Sequence, residues 1–185
     1  SRGLGDVYKR QALGLADAAK ERRDNMQEKI ARVVEIINRP ENKDDHFLLW
    51  HDLEAERLEL CKAIPGCKAV YGSQDDEEAD KVISDFKDGR LKYLAAKPEM
   101  LGEGLNFQYH CHKAIMFIDY RFNDKFQAIA RIYRFMQQHP VDLYLVYAES
   151  EGEIFKSFMQ KWAQHREMVA NMTDIVRHNG LFGLQ

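Results

Sequence analysis

The stretch HFLLWHDLEAERLELCKAIPGCKAVY, residues 46–71, decides the fold class. Its first five residues, HFLLW (46–50), form a short apolar run that predicts a buried strand. Residues 53–64 place apolar side chains among charges as a helix does, and the following Pro-Gly pair ends that helix. KAVY (68–71) then predicts a second strand. Strand, helix and strand in succession predict a parallel pairing.

The same alternation continues on both sides of this stretch. Further elements are predicted as strands at 91–96, 114–119 and 141–148, and as helices at 12–38, 75–87, 124–138 and 151–170. Strands that alternate with helices indicate a parallel sheet with helices on both faces. The prediction is therefore an α/β fold, preceded by a helical arm and followed by a long C-terminal helix.

Composition excludes several protein classes. With 185 residues, 45% of them hydrophobic, the chain has the size of one ordinary domain or two small ones and is too apolar to be disordered. It has no run of about 18 uncharged apolar residues, so no membrane span is predicted. Its 3 cysteines form no CxxC pair, which favours a reducing compartment such as the cytoplasm. The net charge of −3 argues against a wholly basic surface but leaves a local nucleic-acid groove open.

The first eleven residues, SRGLGDVYKRQ, are interpreted as foreign to the protein. They lack the apolar run of a secretory signal, and they resemble the in-frame translation of a sequencing adapter. The alternative is an ordinary N-terminus. If residues 1–11 are adapter-derived, the native part of the chain begins near Ala12 and is a fragment that has lost its natural N-terminus.

One candidate site follows the predicted strand 91–96, because parallel sheets bind ligands at the carboxyl ends of their strands. The segment KPEMLGEGLNFQ (97–108) places Gly102 and Gly104 on either side of Glu103. Two glycines this close allow the backbone to approach a phosphate. On these residues alone, a simple turn is the competing interpretation.

A second candidate lies in QAIARIYRFMQ (127–137). Gln127, Arg131 and Arg134 stand at i, i+4 and i+7, so a helix would present them on one face. Guanidinium groups suit phosphate oxygens, which favours an anion site over the alternative of a solvated basic face. The sequence has no Gly-Lys-Ser or Gly-Lys-Thr, so it has no Walker A phosphate loop.

Two further patterns are interpreted as structural. DDEEAD (75–80) resembles the acidic box of a helicase, but it opens a predicted helix and does not end a strand, so it is expected to stabilise the helix dipole. His110-Cys111-His112 lacks a second ligand pair spaced for zinc. No metal site is predicted.

Together, these segments resemble the second, C-terminal RecA-like domain of superfamily-two helicases and translocases, in a Swi/Snf-like branch of the type found in phages and mobile elements. The resemblance runs from about Glu28 to Lys161 and covers motifs IV, V and VI at 46–56, 97–108 and 117–137. The chain departs from the family pattern at Lys97-Pro98, where Ser-Thr is usual, at Ala130, where Gly or Asp is usual, and at Met136, where Gly is usual.

The resemblance implies a domain organisation. Residues 12–40 would be a helical arm or linker from a missing first motor domain, 41–170 the helicase C-terminal RecA-like domain, and 171–185 a truncated tail or linker. ATP would bind the missing domain, which would also hold Mg²⁺. The full-length protein is therefore expected to be an ATP-dependent DNA helicase or translocase, and this chain alone is expected to be inactive.

The resemblance also implies roles for individual residues. These are arginine fingers at the γ-phosphate (Arg131 and Arg134), ATP contacts (Gly102, Glu103, Gly104 and Gln127) and nucleic-acid contacts (Lys97, Asn106 and Gln108). DNA would be bound through its backbone without sequence specificity. The other implied partners are the missing N-terminal RecA-like domain and, as in some relatives, a DNA methyltransferase domain that follows in the same chain.

Two rival functions remain open on the sequence. The first is a degenerate RecA-like module that docks partners without motor activity. The second is an independent enzyme that binds a nucleotide or sugar phosphate. It is disfavoured because His51-Asp52 after the first strand offers no glycine cradle.

Overall fold

The computed structural model describes residues 24–101, 105–118, 122–129, 132–133 and 137–178, with side chains described up to residue 168. Within these residues the strands are β1 (His46–Trp50), β2 (Lys68–Val70), β3 (Tyr93–Ala96), β4 (Cys111–Phe117) and β5 (Asp142–Val146). The helices are α1 (24–37), α2 (Glu54–Ala63), α3 (Asp76–Lys87), α4 (Phe122–Ile129) and α5 (Gly152–His178). None of the helices in this described part is long and apolar enough to cross a membrane.

The five strands form one parallel sheet in the order β2-β3-β1-β4-β5. β1 is central, and its last four residues are 0–1% exposed, as expected of a strand covered on both faces. Phe47 and Leu49 point into one apolar cluster, while Leu48 and Trp50 point into the other. The predicted α/β fold, with helices on both faces of a parallel sheet, is confirmed.

Helix α1 packs into the same core as the sheet. Ile30, Val33, Ile36 and Ile37 are buried in the cluster that also holds Phe47 of β1. The helical character expected of the arm at 12–40 is therefore seen over 24–37, where the helix contributes to this domain's own core. Its origin as a linker from another domain stays a prediction, and residues 1–23 lie outside the described part.

The acidic run at 75–80 starts a helix, as predicted. The Asp75 carboxylate accepts hydrogen bonds from the backbone N–H groups of Glu77, at 3.1 Å, and Glu78, at 3.4 Å. This is the ordinary N-cap arrangement, and the further carboxylates of the first turn face the positive end of the helix dipole.

Helix α4 is shorter than the predicted helix at 124–138. It ends at Ile129, and residues 132–133 form a turn and a bend. The backbone N–H groups of Ile132 and Tyr133 both donate to the Ile129 carbonyl, at 3.2 and 3.0 Å. The Gln137 amide then donates to the carbonyls of Ile132 and Cys111, at 3.2 and 3.1 Å, so the returning chain is anchored at the start of β4. The continuous helix predicted over 124–138 is therefore wrong at 132–133, and Arg131 and Arg134 lie outside the described residues.

Two other boundaries differ from prediction by more than two residues. β4 begins at Cys111, earlier than the predicted start at 114, so the His-Cys-His segment enters the sheet. Helix α5 continues to His178, so 171–178 of the predicted tail are helical. That segment holds no Pro or Gly that would end a helix. Residues 179–185 lie outside the described part.

Candidate functional site

The predicted site residues converge only in part. Lys97 follows the last residue of β3 and so lies at the carboxyl edge of the sheet, and Gln127 is exposed on α4. Five other predicted residues lie outside the described part of the chain: Gly102, Glu103, Gly104, Arg131 and Arg134. Their roles stay predictions.

Asn106 and Gln108 lie towards the other end of the 97–108 loop. Asn106 is partly buried, and Gln108 is 6% exposed a short distance before β4 begins. Since the strands are parallel, the start of β4 lies at the amino edge, opposite the edge that carries Lys97. Contacts of Asn106 and Gln108 with nucleic acid stay predictions, and the Gln108 side chain would have to become accessible to make one.

The loop after β1 places a buried histidine at the carboxyl edge. The His51 backbone N–H donates to the Ala96 carbonyl at 3.2 Å, which extends the pairing between β1 and β3. Its ring is 0% exposed, and neither ring nitrogen has a hydrogen-bond partner among the described residues. Burial, and then the positive charges of Lys97 and Arg57, lower the pKa of His51 to about 4. The imidazole is therefore neutral at pH 7, and cations are close enough to oppose its protonation.

The next residue of this loop is joined to α4 by an ion pair. Lys125, on α4, is fully buried and its ammonium contacts the carboxylate of Asp52. Sequence reasoning missed both residues. A signal was present, since Lys125 lies among Phe122, Ala128 and Ile129 at helical spacing and therefore on the apolar face of its helix. The ion pair holds α4 against the loop that follows the carboxyl end of β1.

A buried glutamate fixes the conformation of the same loop. The Glu56 carboxylate accepts hydrogen bonds from the backbone N–H groups of Asp52, at 2.8 Å, and Leu53, at 3.0 Å. Its other oxygen lies 3.9 Å from the Lys29 ammonium, which also contacts Glu151 at 3.1 Å. Glu56 thus stabilises the N-terminus of α2 and is linked through Lys29 of α1 to the turn before α5.

The charges at this edge are mixed and include two cations. Arg57 stacks on the Tyr71 ring, 4.0 Å from its centroid, beyond the end of β2, and its Nε donates to the Glu54 carboxylate at 2.9 Å. Lys97 forms no ion pair with any described residue, and its positive charge contributes to the lowered pKa of both His51 and Glu54. In the described ranges no group of three or more His, Cys, Asp or Glu side chains is arranged to hold a metal ion. Phosphate oxygens fit this donor set better than a divalent cation does.

Comparisons with known proteins identify the fold. No protein-family model matches the sequence, and no curated protein matches it either. Among solved structures, the C-terminal part of the Fun30 ATPase domain is similar at 17% identity with a TM-score of 0.58, over 69% of this chain and 44% of that chain. The C-terminal domain of Dbp5 from S. cerevisiae, solved bound to Gle1 and IP6, is similar at 14% identity with a TM-score of 0.59, over 75% of this chain and 80% of that chain.

A third similar structure is the helicase Lhr of Mycobacterium smegmatis, bound to ssDNA and AMP-PNP. It has 16% identity and a TM-score of 0.51, over 63% of this chain and 16% of that chain. The chain therefore spans less than half the length of the Fun30 and Lhr chains. At these identities the likeness establishes the fold, which is the predicted RecA-like α/β fold.

Proposed function

We propose that this chain is the C-terminal motor domain of an ATP-dependent helicase or translocase that acts on DNA. The observation that carries the proposal is the convergence of the β1 loop, Lys97 and α4 at the carboxyl edge of a RecA-like sheet. This edge is where open α/β sheets bind nucleotides. The solved structures of this fold named above include an ATPase domain and a helicase bound to ssDNA and AMP-PNP, which supports the same function here.

In the proposed motor, ATP binds between this domain and a first RecA-like domain that this chain does not include. We assign contacts with the nucleotide to Gly102, Glu103, Gly104 and Gln127, and the role of N–H donors to the γ-phosphate oxygens to Arg131 and Arg134. Charge develops on these oxygens during phosphoryl transfer, so fixed guanidinium groups stabilise the transition state. The first domain would also hold Mg²⁺, which would supply positive charge next to the phosphates.

Positioning of the arginines depends on the described residues around them. On the N-terminal side, Lys125 of α4 forms an ion pair with Asp52. On the C-terminal side, the Gln137 side chain donates a hydrogen bond to the Cys111 carbonyl at the start of β4. Positions 131 and 134 lie between these two anchors. A segment anchored at both ends loses less conformational entropy when a ligand binds, which supports the proposed arginine-finger role.

Contact with DNA is assigned to Lys97, Asn106 and Gln108, in the loop that leaves the nucleotide edge at β3 and reaches the sheet again at β4. Such a loop couples closure over ATP to movement along the strand. Because Lys97 pairs with phosphates rather than base edges, binding is expected to be salt-sensitive and independent of sequence.

The test is an Arg134→Ala substitution in the full-length protein. An arginine finger contributes about 10³–10⁵ in rate in well-studied nucleotide hydrolases, so DNA-stimulated ATP hydrolysis should become nearly undetectable. Arg131→Ala should act in the same direction. Arg166→Ala is the matched control, because Arg166 is exposed on α5, and it should leave the rate unchanged. An Arg134→Ala protein that hydrolyses ATP at the parental rate would overturn the assignment.

The alternative is a RecA-like module that docks partners without motor activity. The departures at Ala130 and Met136 from the motif VI pattern are the features that favour it. A full-length protein without a Walker A lysine and without DNA-stimulated ATPase activity would establish this alternative. The proposal also includes the Swi/Snf-like branch, the phage or mobile-element origin and the downstream methyltransferase domain. The sequence of the complete gene would test all three.

A further inference from the structure

Two of the three cysteines lie side by side. Cys61 is in the last turn of α2, and Cys67 lies just before β2, at the edge of the sheet. Their Sγ atoms are 4.0 Å apart, which is van der Waals contact for sulfur. A disulfide has an S–S distance of about 2.05 Å, so closure requires the two sulfurs to approach by about 2 Å.

The connection between the two cysteines can accommodate this approach. Pro65 and Gly66 are exposed, and Gly66 adopts a φ of +79° with open space for 4 Å around the point where a side chain would begin. The turn is closed by one hydrogen bond, from the Cys67 N–H to the Ile64 carbonyl at 3.1 Å. A short exposed turn of this kind can adjust without disturbing the strands.

The two thiols have complementary reactivity. Cys61 is half-buried, and the hydrogen bond with Cys67, followed by the charges of Arg57 and Lys68, lowers its pKa to about 7. Cys67 is buried, and its contact with Cys61, together with burial, raises the pKa of its thiol. Cys61 is therefore the accessible nucleophile, and Cys67 is a protonated thiol within reach of it.

We propose that Cys61 and Cys67 are a reversible dithiol–disulfide pair, oxidised by a low-molecular-weight disulfide such as oxidised glutathione. The Cys61 thiolate attacks one sulfur of glutathione disulfide, forming a mixed disulfide and releasing one glutathione thiolate. The Cys67 sulfur then attacks Sγ of Cys61 while its proton passes to solvent, and the second glutathione leaves as a thiolate. The protein loses two electrons and two protons, and one glutathione disulfide becomes two molecules of glutathione.

The product would join the end of α2 to the amino end of β2 by a covalent bond. Cys111 provides an internal comparison, because it is 1% exposed and its Sγ contacts the carbonyls of Lys113 and His46, at 3.2 and 3.4 Å. Burial raises its pKa to about 12. Cys111 should therefore remain reduced under conditions that oxidise the other two.

The experiment treats the reduced chain with oxidised glutathione, then alkylates it under denaturing conditions and maps the peptides. The expected result is a chain lighter by two hydrogen atoms before alkylation, with a Cys61–Cys67 cross-link, and alkylated at Cys111 alone. Reduction with dithiothreitol should restore alkylation at all 3 cysteines. A stable glutathione adduct without closure, a cross-link that includes Cys111, or a chain that stays fully reduced would each overturn the proposal.

Variants separate the two roles. Cys67→Ser should accumulate a glutathione adduct on Cys61, because the thiol that resolves the mixed disulfide is missing. Cys61→Ser should acquire no adduct, and Cys111→Ser should form the cross-link as the parent does. An adduct on Cys67 in the Cys61→Ser chain would reverse the assigned roles. If a variant fails to fold by circular dichroism, the peptide map of the parent chain still decides the proposal.

Discussion

Replacing Glu56 with Ala should destabilise the protein by about 2–4 kcal/mol, because one carboxylate holds the loop after β1. Glu56 is 4% exposed and accepts the backbone N–H groups of Asp52 and Leu53, at 2.8 and 3.0 Å. A hydrogen bond to a charged group contributes about 1.5–3 kcal/mol. The Leu53 side chain is exposed, so water can replace one acceptor in part. Lys29 keeps Glu151 at 3.1 Å, so the further penalty of an uncompensated buried charge is not added.

Urea unfolding followed by the fluorescence of the two tryptophans measures this effect. A slope of about 2 kcal/mol per molar urea is ordinary for a domain, so the expected loss lowers the midpoint by about 1–2 M. Glu59→Ala is the matched control, because Glu59 lies on the same helix and makes only exposed contacts, to Gln27 at 3.3 Å and Lys62 at 3.7 Å. It should shift stability by less than about 0.5 kcal/mol.

Glu56→Gln refines the interpretation. It keeps one acceptor oxygen but removes the charge, so its midpoint should fall between those of the parent and Glu56→Ala. The reasoning is refuted if Glu56→Ala unfolds at the same urea concentration as Glu59→Ala. Equal losses in the Gln and Ala variants would instead assign the whole effect to charge rather than to the two hydrogen bonds.

Two further predictions concern the buried residues His51 and Lys113. Because the pKa of His51 is lowered from 6.5 to about 4, the unfolded chain binds a proton first as the pH falls, so stability should decrease from pH 6.5 to about 4. His51→Gln should make that decrease shallower by up to about 1.4 kcal/mol per pH unit in urea unfolding, and an unchanged slope would contradict the assignment. Lys113→Met should cost about 2–4 kcal/mol, since the ammonium contacts Asp45 at 2.6 Å and the fully buried Asn42, both of which would lose a donor. Lys156→Met, at a solvent-exposed pair with Glu153, should have no measurable effect, and equal losses in the two lysine variants would exclude a special role for Lys113.

Elements that depend on local pattern were predictable from the sequence. β1 has the predicted bounds because every residue after His46 is apolar, and a strand buried on both faces needs no alternation. The start of α3 was predictable because its cap, Asp75, contacts backbone groups only two and three residues away. In both cases the signal that predicts the element lies within a few neighbouring residues, although β1 itself is held in place by pairing with the distant strands β3 and β4.

The elements that were wrong depend on contacts between distant residues. Apolar spacing continues beyond Ile129 and therefore predicted a longer helix, but the Gln137 side chain bonds to Cys111, at the start of another strand. The sequence at the start of β4 is too polar to predict a buried strand, because it includes His112 and Lys113. The Lys113 charge is satisfied by Asn42 and Asp45, which lie about 70 residues earlier in the chain.

The candidate site shows the same division. Residues after a predicted strand, such as Lys97, were identified from the rule that ligands bind at carboxyl ends. Glu56, Asp52 and Lys125 were missed because their importance comes from burial beside each other. A buried charge is expensive without a partner, and the partner of Lys125 lies 73 positions away.

Net charge and local charge point to different conclusions about binding. The chain carries a net charge of −3, which as a whole opposes association with phosphate polymers. At the amino edge of the sheet the charge of Lys113 is offset by Asp45 at 2.6 Å and by Asp142 at 3.8 Å. At the carboxyl edge Lys97 forms no ion pair with a described residue, although its charge acts on the Glu54 carboxylate and, after burial, contributes to the lowered pKa of His51. Lys97 is therefore less closely paired than Lys113, which supports the proposed phosphate contact at the carboxyl edge and indicates that the position of the carboxylates matters as well as the number of basic residues.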